Sequence, residues 1–248
     1  MAAARQVIPG LHMISVGPIN MFLLESEDGY VLIDTGLPGN ADAVLKTMAA
    51  LGKPPSSIRH ILLTHGHPDH IGSLAAVKKA TGAVTYMHPA DTPIATSGKG
   101  FRPMKAAPGL LTSILFRLFV RLDRVVEPAA IDRQVEDGEQ LPIAGGIRAI
   151  HVPGHCAGQL VFLWGQRGGV LFAADACSNL MGLGLSLGYE DIDRGKRDLS
   201  SLGKLDFQIA CFGHGKPILE NASLRFREKW PASASVRAAQ LLLLSPAF

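Results

Sequence analysis

The run His65-Gly66-His67-Pro68-Asp69-His70 places four metal-ligating side chains within six residues, directly after the apolar stretch Ile58–Leu63. Any fold for this chain has to accommodate that turn. Neutral imidazole and carboxylate offer lone pairs suited to zinc, and also to iron or manganese. A compact turn lets His65 and His67 approach one ion from the same side. Asp69 and His70, at the start of the following helix, are placed for a second ion. Gly66 permits tight backbone geometry, and Pro68 fixes φ at the helix entry. A surface loop with chance histidines would not set three histidines and an aspartate in this order behind a strand.

Four donors cannot complete two metal sites, and the chain offers three more, each at the end of an apolar run. Ile147–Val152 leads into Pro153-Gly154-His155, Val170–Ala174 into Asp175, and Phe207–Phe212 into Gly213-His214-Gly215. Sites in sheet proteins collect in loops beyond strand ends, where a rigid scaffold aims the side chains. The same placement occurs four times here.

Between these points the pattern alternates strands and helices. Met21–Leu24 and Tyr30–Ile33 flank a hairpin signal, and Asp34-Thr35-Gly36 closes the second run. Asn40–Leu51 reads as a helix capped by Asn40 and stopped by Gly52. Leu74–Ala80 is helical and stopped by Gly82, Ala83–Met87 returns to strand, and Leu160–Trp164 is a further strand. Gly29–Asp34 and Gly168–Asp175 are faintly alike, each a glycine, an apolar strand and a terminal Asp. Residues 89–124 are expected to leave the core as a candidate lid. With 47% apolar and 18% charged residues, the chain can bury a sizeable core, and a single domain over 1–248 is expected.

A net charge of +3, scattered rather than clustered, argues against nucleic acid as a partner. Cys156, Cys177 and Cys211 lack the spacing of a zinc ribbon or redox pair and point to a reducing compartment. The N-terminus, broken by Pro9, Gly10, Gly17 and Pro18, has no apolar core of signal-peptide length. No segment approaches the ~20 apolar residues of a spanning helix. A soluble, cytoplasmic protein with a small-molecule substrate is expected, its oligomeric state open.

The set His65-x-His67-x-Asp69-His70, then His155, Asp175 and His214, resembles the metallo-β-lactamase-fold hydrolase superfamily. The resemblance extends from Asp34-Thr35-Gly36 to Gly213-His214-Gly215. It implies an α/β fold, a four-layer αβ/βα sandwich of two mixed sheets flanked by helices, with metals in a cleft along one edge. By position, His65, His67 and His155 would hold one ion, Asp69, His70 and His214 a second, and Asp175 would bridge them. Asp34 would orient a ligand histidine through a hydrogen bond. Two divalent ions, zinc before iron or manganese, would supply a metal-bound hydroxide that attacks an ester, thioester or lactone. Asp69 is the candidate catalytic residue, orienting the nucleophile and passing its proton to the leaving group.

The rival readings are a β-lactamase, a persulfide dioxygenase-like mono-iron oxidoreductase and a non-catalytic binding module. The oxidoreductase uses only three of these ligands, and binding modules typically lose ligands. Too few residues follow Gly215 for the helical region of glyoxalase II-like enzymes. Ser178-Asn179 stand where several lactonases carry a tyrosine, and the nearest later one is Tyr189. Cys177, Cys156 and Cys211 read as packed residues. His12, His60, His88 and His151 fall outside the motif, with His60 and His151 inside strands. Leu110–Leu122 reads as an apolar helix with Arg117, Arg121 and Arg124 on one face. It is a packed helix, a lid over an acyl pocket or a peripheral membrane contact. The Leu241–Leu244 run is expected to end a docked helix.

Overall fold

The computed structural model describes residues 3–121 and 123–232, so the Leu241–Leu244 run lies outside the described residues. The chain opens with four antiparallel strands, β1 (Ala3–Ile8), β2 (Leu11–Val16), β3 (Ile19–Ser26) and β4 (Gly29–Ile33). Helix α1 (Ala41–Ala50), strand β5 (Ile58–Leu62), the short turn α2 (Pro68–Ile71), helix α3 (Leu74–Thr81) and strand β6 (Val84–Met87) follow. Then come α4 (Thr92–Ser97), β7 (Lys105–Ala106), α5 (Leu110–Phe119), β8 (Arg133–Gln134) and β9 (Gln140–Leu141). The last part comprises β10 (Ile147–His151), β11 (Leu160–Trp164), β12 (Val170–Ala174), β13 (Gly188–Tyr189), α6 (Ile192–Leu202), β14 (Ile209–Phe212) and α7 (Ala222–Lys229).

Two mixed sheets result, ordered β1-β2-β3-β4-β5-β6-β8 and β14-β12-β11-β10-β9. Side chains alternate across each strand, and both faces are covered, so central strands read as unbroken apolar runs. Phe22, Leu24, Val31 and Ile33 meet Phe162, Val170, Phe172 and Cys211 between the sheets. Their alternates Met21, Leu23, Tyr30 and Leu32 pack under α1 and α3. On the second sheet, Leu171, Ala173, Ala210 and Phe212 pack under α6 and α7. The four layers expected from the resemblance are present.

The two look-alike segments occupy matching places. β4 pairs antiparallel with β3 and parallel with β5, while β12 pairs antiparallel with β11 and parallel with β14. Each therefore sits where its sheet changes sense, and each ends in a left-handed residue, Asp34 (φ 60°) and Ala174 (φ 45°). Backbone held there by a non-glycine residue is strained and marks a site the surroundings over-determine.

Three local expectations are corrected. Asn40 occupies the N-cap position of α1 but makes no side-chain cap; Ser73 Oγ instead accepts from the Asn40 and Ala41 amides at 2.8 and 3.1 Å. Helix α5 ends at Phe119 because Val120 turns extended, so Arg121 and Arg124 do not extend a helical stripe from Arg117. Of the stretch 89–124 expected to leave the core, α4 packs into it through Ile94 and Ala95. The segment that stands away is α5 with its immediate flanks, residues 108–121, since Phe101 and Ala107 pack against the body.

Candidate metal centre

All seven predicted donors converge at the edge formed by the C-terminal ends of β5, β10, β12 and β14. His65 and His67 lie on the loop after β5, and Asp69 and His70 on α2. His155, Asp175 and His214 follow β10, β12 and β14. Three groups of donor atoms each fall within 4.8 Å of one another: His65, His67 and His155; His65, His70 and Asp175; Asp69, His70 and His214. His67 Nδ1 is 3.0 Å from His155 Nε2, and His214 Nε2 is 3.2 Å from Asp175 Oδ2 and 3.3 Å from Asp69 Oδ2. Two ligands of one tetrahedral zinc at bond lengths near 2.1 Å stand about 3.4 Å apart.

The remote ring nitrogens are anchored. His70 Nδ1 lies 2.8 Å from Asp34 Oδ2, His155 Nδ1 2.9 Å from the Gly188 carbonyl, and His214 Nδ1 3.0 Å from the Pro18 carbonyl. These partners only accept, so each Nδ1 carries a proton and Nε2 is the nitrogen turned toward the centre. Thr64 Oγ1 donates to Asp34 Oδ2 at 2.8 Å; with that hydrogen spent, it accepts from His65 Nδ1 at 3.0 Å. His65 Nε2, His70 Nε2 and Asp175 Oδ1 are buried and make no hydrogen bond, the last two lying 3.5 Å apart. Leaving buried polar atoms unsatisfied is costly, and a cation among them removes the cost. The donor set fits divalent metals.

Asp34 and Thr35 hold His70 from both ends. Asp34 takes the ring and the Thr64 amide, and the Thr35 amide and hydroxyl donate to the His70 carbonyl at 2.7 and 2.9 Å. Gly213 admits no side chain, since a methyl there would meet Asp175 Oδ1 at 2.3 Å.

Electrostatics divides the donors. Burial and the neighbouring imidazoles hold His65 well below the usual histidine range. Burial, then His155, brings His67 down to about 3, and burial lowers His155. For His70, burial opposes the charged ring, but Asp34, Asp69 and Asp175 outweigh it and lift the pKa to about 9. His214 is likewise raised against burial by Asp175 and Asp69. Against burial, His70 and His214 hold Asp69 well below the carboxylate range, and His214 and His70 do the same for Asp175.

Several supporting residues carried no local signal in the sequence. The Asn20 side chain donates to the Phe212 carbonyl at 3.0 Å and the Gly215 carbonyl at 2.7 Å, stitching the two sheets beside His214. Asp91, fully buried, accepts from the Gly66 amide at 2.7 Å, between His65 and His67. Arg102 pairs with Asp91 and donates from Nε to Glu190 at 2.7 Å. Glu190 in turn accepts from the Ala157 amide at 3.0 Å, two residues beyond His155. Tyr189 is buried, with its hydroxyl donating to the Ala176 carbonyl at 2.8 Å, and does not enter the cleft. His88 stacks on His151 with ring centres 3.9 Å apart, and His60 bonds Tyr86 and Asp28. Both lie outside the donor cluster. The three cysteines are free and buried.

A two-sheet sandwich with a histidine-aspartate centre at one edge defines a class of metal-binding proteins built on this fold. The chain belongs to the metallo-beta-lactamase superfamily, whose family profile matches residues 14–214. Bacillus subtilis YobT is 31% identical over 176 residues, 68% of this chain and 66% of that protein. YflN of the same organism, a probable metallo-hydrolase, is 27% identical over 179 residues, 70% of this chain and 66% of that one. The chain thus spans just under two thirds of the length of these relatives. Among solved structures, a Cronobacter sakazakii metallo-beta-lactamase variant superposes with TM-score 0.71 at 19% identity, covering 98% of this chain and 96% of the other. BJP-1, a subclass B3 enzyme of Bradyrhizobium japonicum, gives 0.69 at 20% identity, covering 97% and 94%. At these identities the likeness is one of fold.

Proposed function

We propose that the protein is a dinuclear, zinc-dependent hydrolase of an ester, thioester or lactone. The observation that carries this reading is the complete donor set: His65 Nε2, His70 Nε2 and Asp175 Oδ1 are buried, make no hydrogen bond and face the other donors. His65, His67 and His155 would hold one ion and Asp69, His70 and His214 a second, with Asp175 between them. When bound, the ions supply Lewis acidity, bringing the pKa of water to about 7 and polarising an acyl oxygen.

The chain's own residues do the rest. Asp175, held ionised beside His70 and His214, keeps a fixed negative charge between the two donor groups. Asp69 is the partly open carboxylate of the cluster, its side chain 30% exposed. It can orient an incoming water and carry its proton to the leaving group. Asp34 and Thr35 fix His70, so the helical turn that carries Asp69 cannot swing away. Free, buried cysteines support a reducing, cytoplasmic setting.

A mono-iron oxygenase needs only three donors and gives Asp69, His70 and His214 no common task; their tight grouping favours the hydrolase. The test is metal quantification with a panel of esters, thioesters, lactones and a chromogenic β-lactam. Two zinc ions per chain and turnover of an acyl substrate, abolished by chelation and restored by zinc, are expected. One iron per chain with oxygen consumption, or hydrolysis that survives exhaustive chelation, would overturn it.

A further inference from the structure

Helix α5 is built inside out. It has no buried residue, and Leu110, Leu111, Ile114, Leu118 and Phe119 stand between 46% and 82% exposed. At about 100° per residue, Leu110, Leu111, Ile114 and Leu118 share one arc of about 100°, and Phe116 lies almost opposite. Phe116 is the side that touches the body: a methyl on Gly188 would sit 2.4 Å from its ring. The helix is held there by β7, which pairs with β13 through Lys105–Tyr189 and Ala106–Gly188. The Gly188 carbonyl is also the anchor of His155. The apolar stripe therefore turns away from the cleft it adjoins and cannot line an acyl pocket within it. Six of the eleven large apolar side chains exposed among the described residues lie in 110–125, so this is a patch rather than scatter.

Charge says what covers the patch. Residues 99–125 hold Lys99, Arg102, Lys105, Arg117, Arg121 and Arg124 against Asp123, a surplus of five positive charges in a chain whose net charge is +3. Arg102 is committed to Asp91 and Glu190; the other five bases are exposed. A second copy docking through the same face would bring two such surpluses together. We propose that α5 and its basic flanks dock on an anionic lipid bilayer, with Leu110, Leu111, Ile114 and Leu118 entering the interface. Lys105, Arg117, Arg121 and Arg124 would meet the headgroups. Among the described residues no helix is long and apolar enough to cross a membrane, so the contact is peripheral. This inference is independent of the hydrolytic reading.

The test is co-sedimentation of the full chain with vesicles of phosphatidylglycerol and phosphatidylcholine, and with pure phosphatidylcholine, at about 0.1 M salt. Binding to the anionic vesicles is expected, weakening with salt and unchanged by chelation. The triple variant Leu111→Asp, Ile114→Asp, Leu118→Asp should lose binding while melting normally, because these side chains are already in solvent. Each basic residue near the surface contributes about fivefold to partitioning, so Arg117→Ala with Arg121→Ala should weaken it about 25-fold. Failure of the intact chain to bind anionic vesicles would overturn the proposal, as would equal binding to pure phosphatidylcholine. So would a dimer in sedimentation velocity that the triple variant dissolves, since that would make the stripe an interface between copies.

Discussion

The two donor triads share a cleft and differ in nearly every physical respect. His65, His67 and His155 are each less than a tenth exposed, contain no carboxylate and are kept neutral by burial and mutual repulsion. In the other triad only His70 is sealed; the Asp69 and His214 side chains are 30% and 21% exposed. His70 and His214 are backed by carboxylates that hold protons on them. The closed triad is ready for a metal before any arrives, because neutral imidazoles have nothing to release. To take a metal the open triad would have to give up protons, and it is there that the donor groups are partly open to solvent. On the dinuclear reading, one side would retain an ion and the other would work with one.

The sharpest way to break this contrast is to delete one ligand from each side. His67→Ala should drop hydrolysis to background and leave the closed triad unable to retain metal. His214→Ala should still retain one ion per chain, measured by metal analysis after gel filtration. Equal metal loss in both variants would erase the asymmetry. Next in size, Asp69→Asn keeps an oxygen donor but removes a proton carrier. It should lower kcat by about 10²–10⁴-fold with metal content unchanged; an unaltered kcat would take Asp69 out of the reaction.

That all seven donors were legible in the sequence has a physical cause. Each follows the end of a strand that the sequence marks: β12 and β14 are buried throughout, and β5 and β10 keep buried apolar residues around the exposed Arg59 and Arg148. The structure brings together each of the residues so marked. What stayed hidden acts across long separations and carries no local pattern. Asn20 bonds a backbone 192 residues away, and Arg102 reaches Glu190 88 residues on. Strands β1 and β2 were missed because Pro9-Gly10 reads as a break, whereas it is the turn between two paired strands. Helix α6 was missed because it is mostly polar and buries only Gly195, Asp198, Leu199 and Leu202. Its one local sign was Asp191, which caps the helix by accepting from the Arg194 amide at 2.8 Å. The outward stripe of α5 was unreadable because periodicity gives the width of an apolar face and not the direction it points.

Two smaller effects sharpen the contrast further. Asp34 touches only the His70 side and His65's neighbour Thr64, so Asp34→Ala should weaken metal binding at the open triad about 10–100-fold, read by chelator competition. Affinity should also depend on pH differently on the two sides. His70, with its pKa raised to about 9, is protonated at neutral pH and must lose that proton to ligate. Apparent affinity at the open triad should therefore rise by about tenfold per pH unit for each displaced proton up to about pH 9, then level off. His67, brought down to about 3, is already neutral at pH 6, so the closed triad should show a flat profile between pH 6 and 9. A common slope for both ions would contradict the division.

The smallest effect on activity is expected from the clamp behind the closed triad. Arg102 joins Asp91, which holds the Gly66 amide, to Glu190, which holds the Ala157 amide. It thereby ties the loop of His65 and His67 to the loop of His155. Removing it leaves Asp91 buried and without its countercharge, and Gly158 packs so closely on Asp91 that a methyl there would meet its Cγ at 2.3 Å. The carboxylate is closed off on that side. Breaking a buried pair costs about 3–5 kcal/mol, and the partial exposure of Arg102 (29%) puts this case at the lower end. For a chain of this length about 3 kcal/mol is a fall in Tm of about 6–12 °C. Arg102→Ala should show that fall and a loss of metal affinity under tenfold, confined to the closed triad. Arg102→Lys restores the charge but not the two-pronged geometry, and should recover Tm only in part. An unchanged melting curve, or affinity lost at the open triad instead, would mean that the two loops are held together by something other than this clamp.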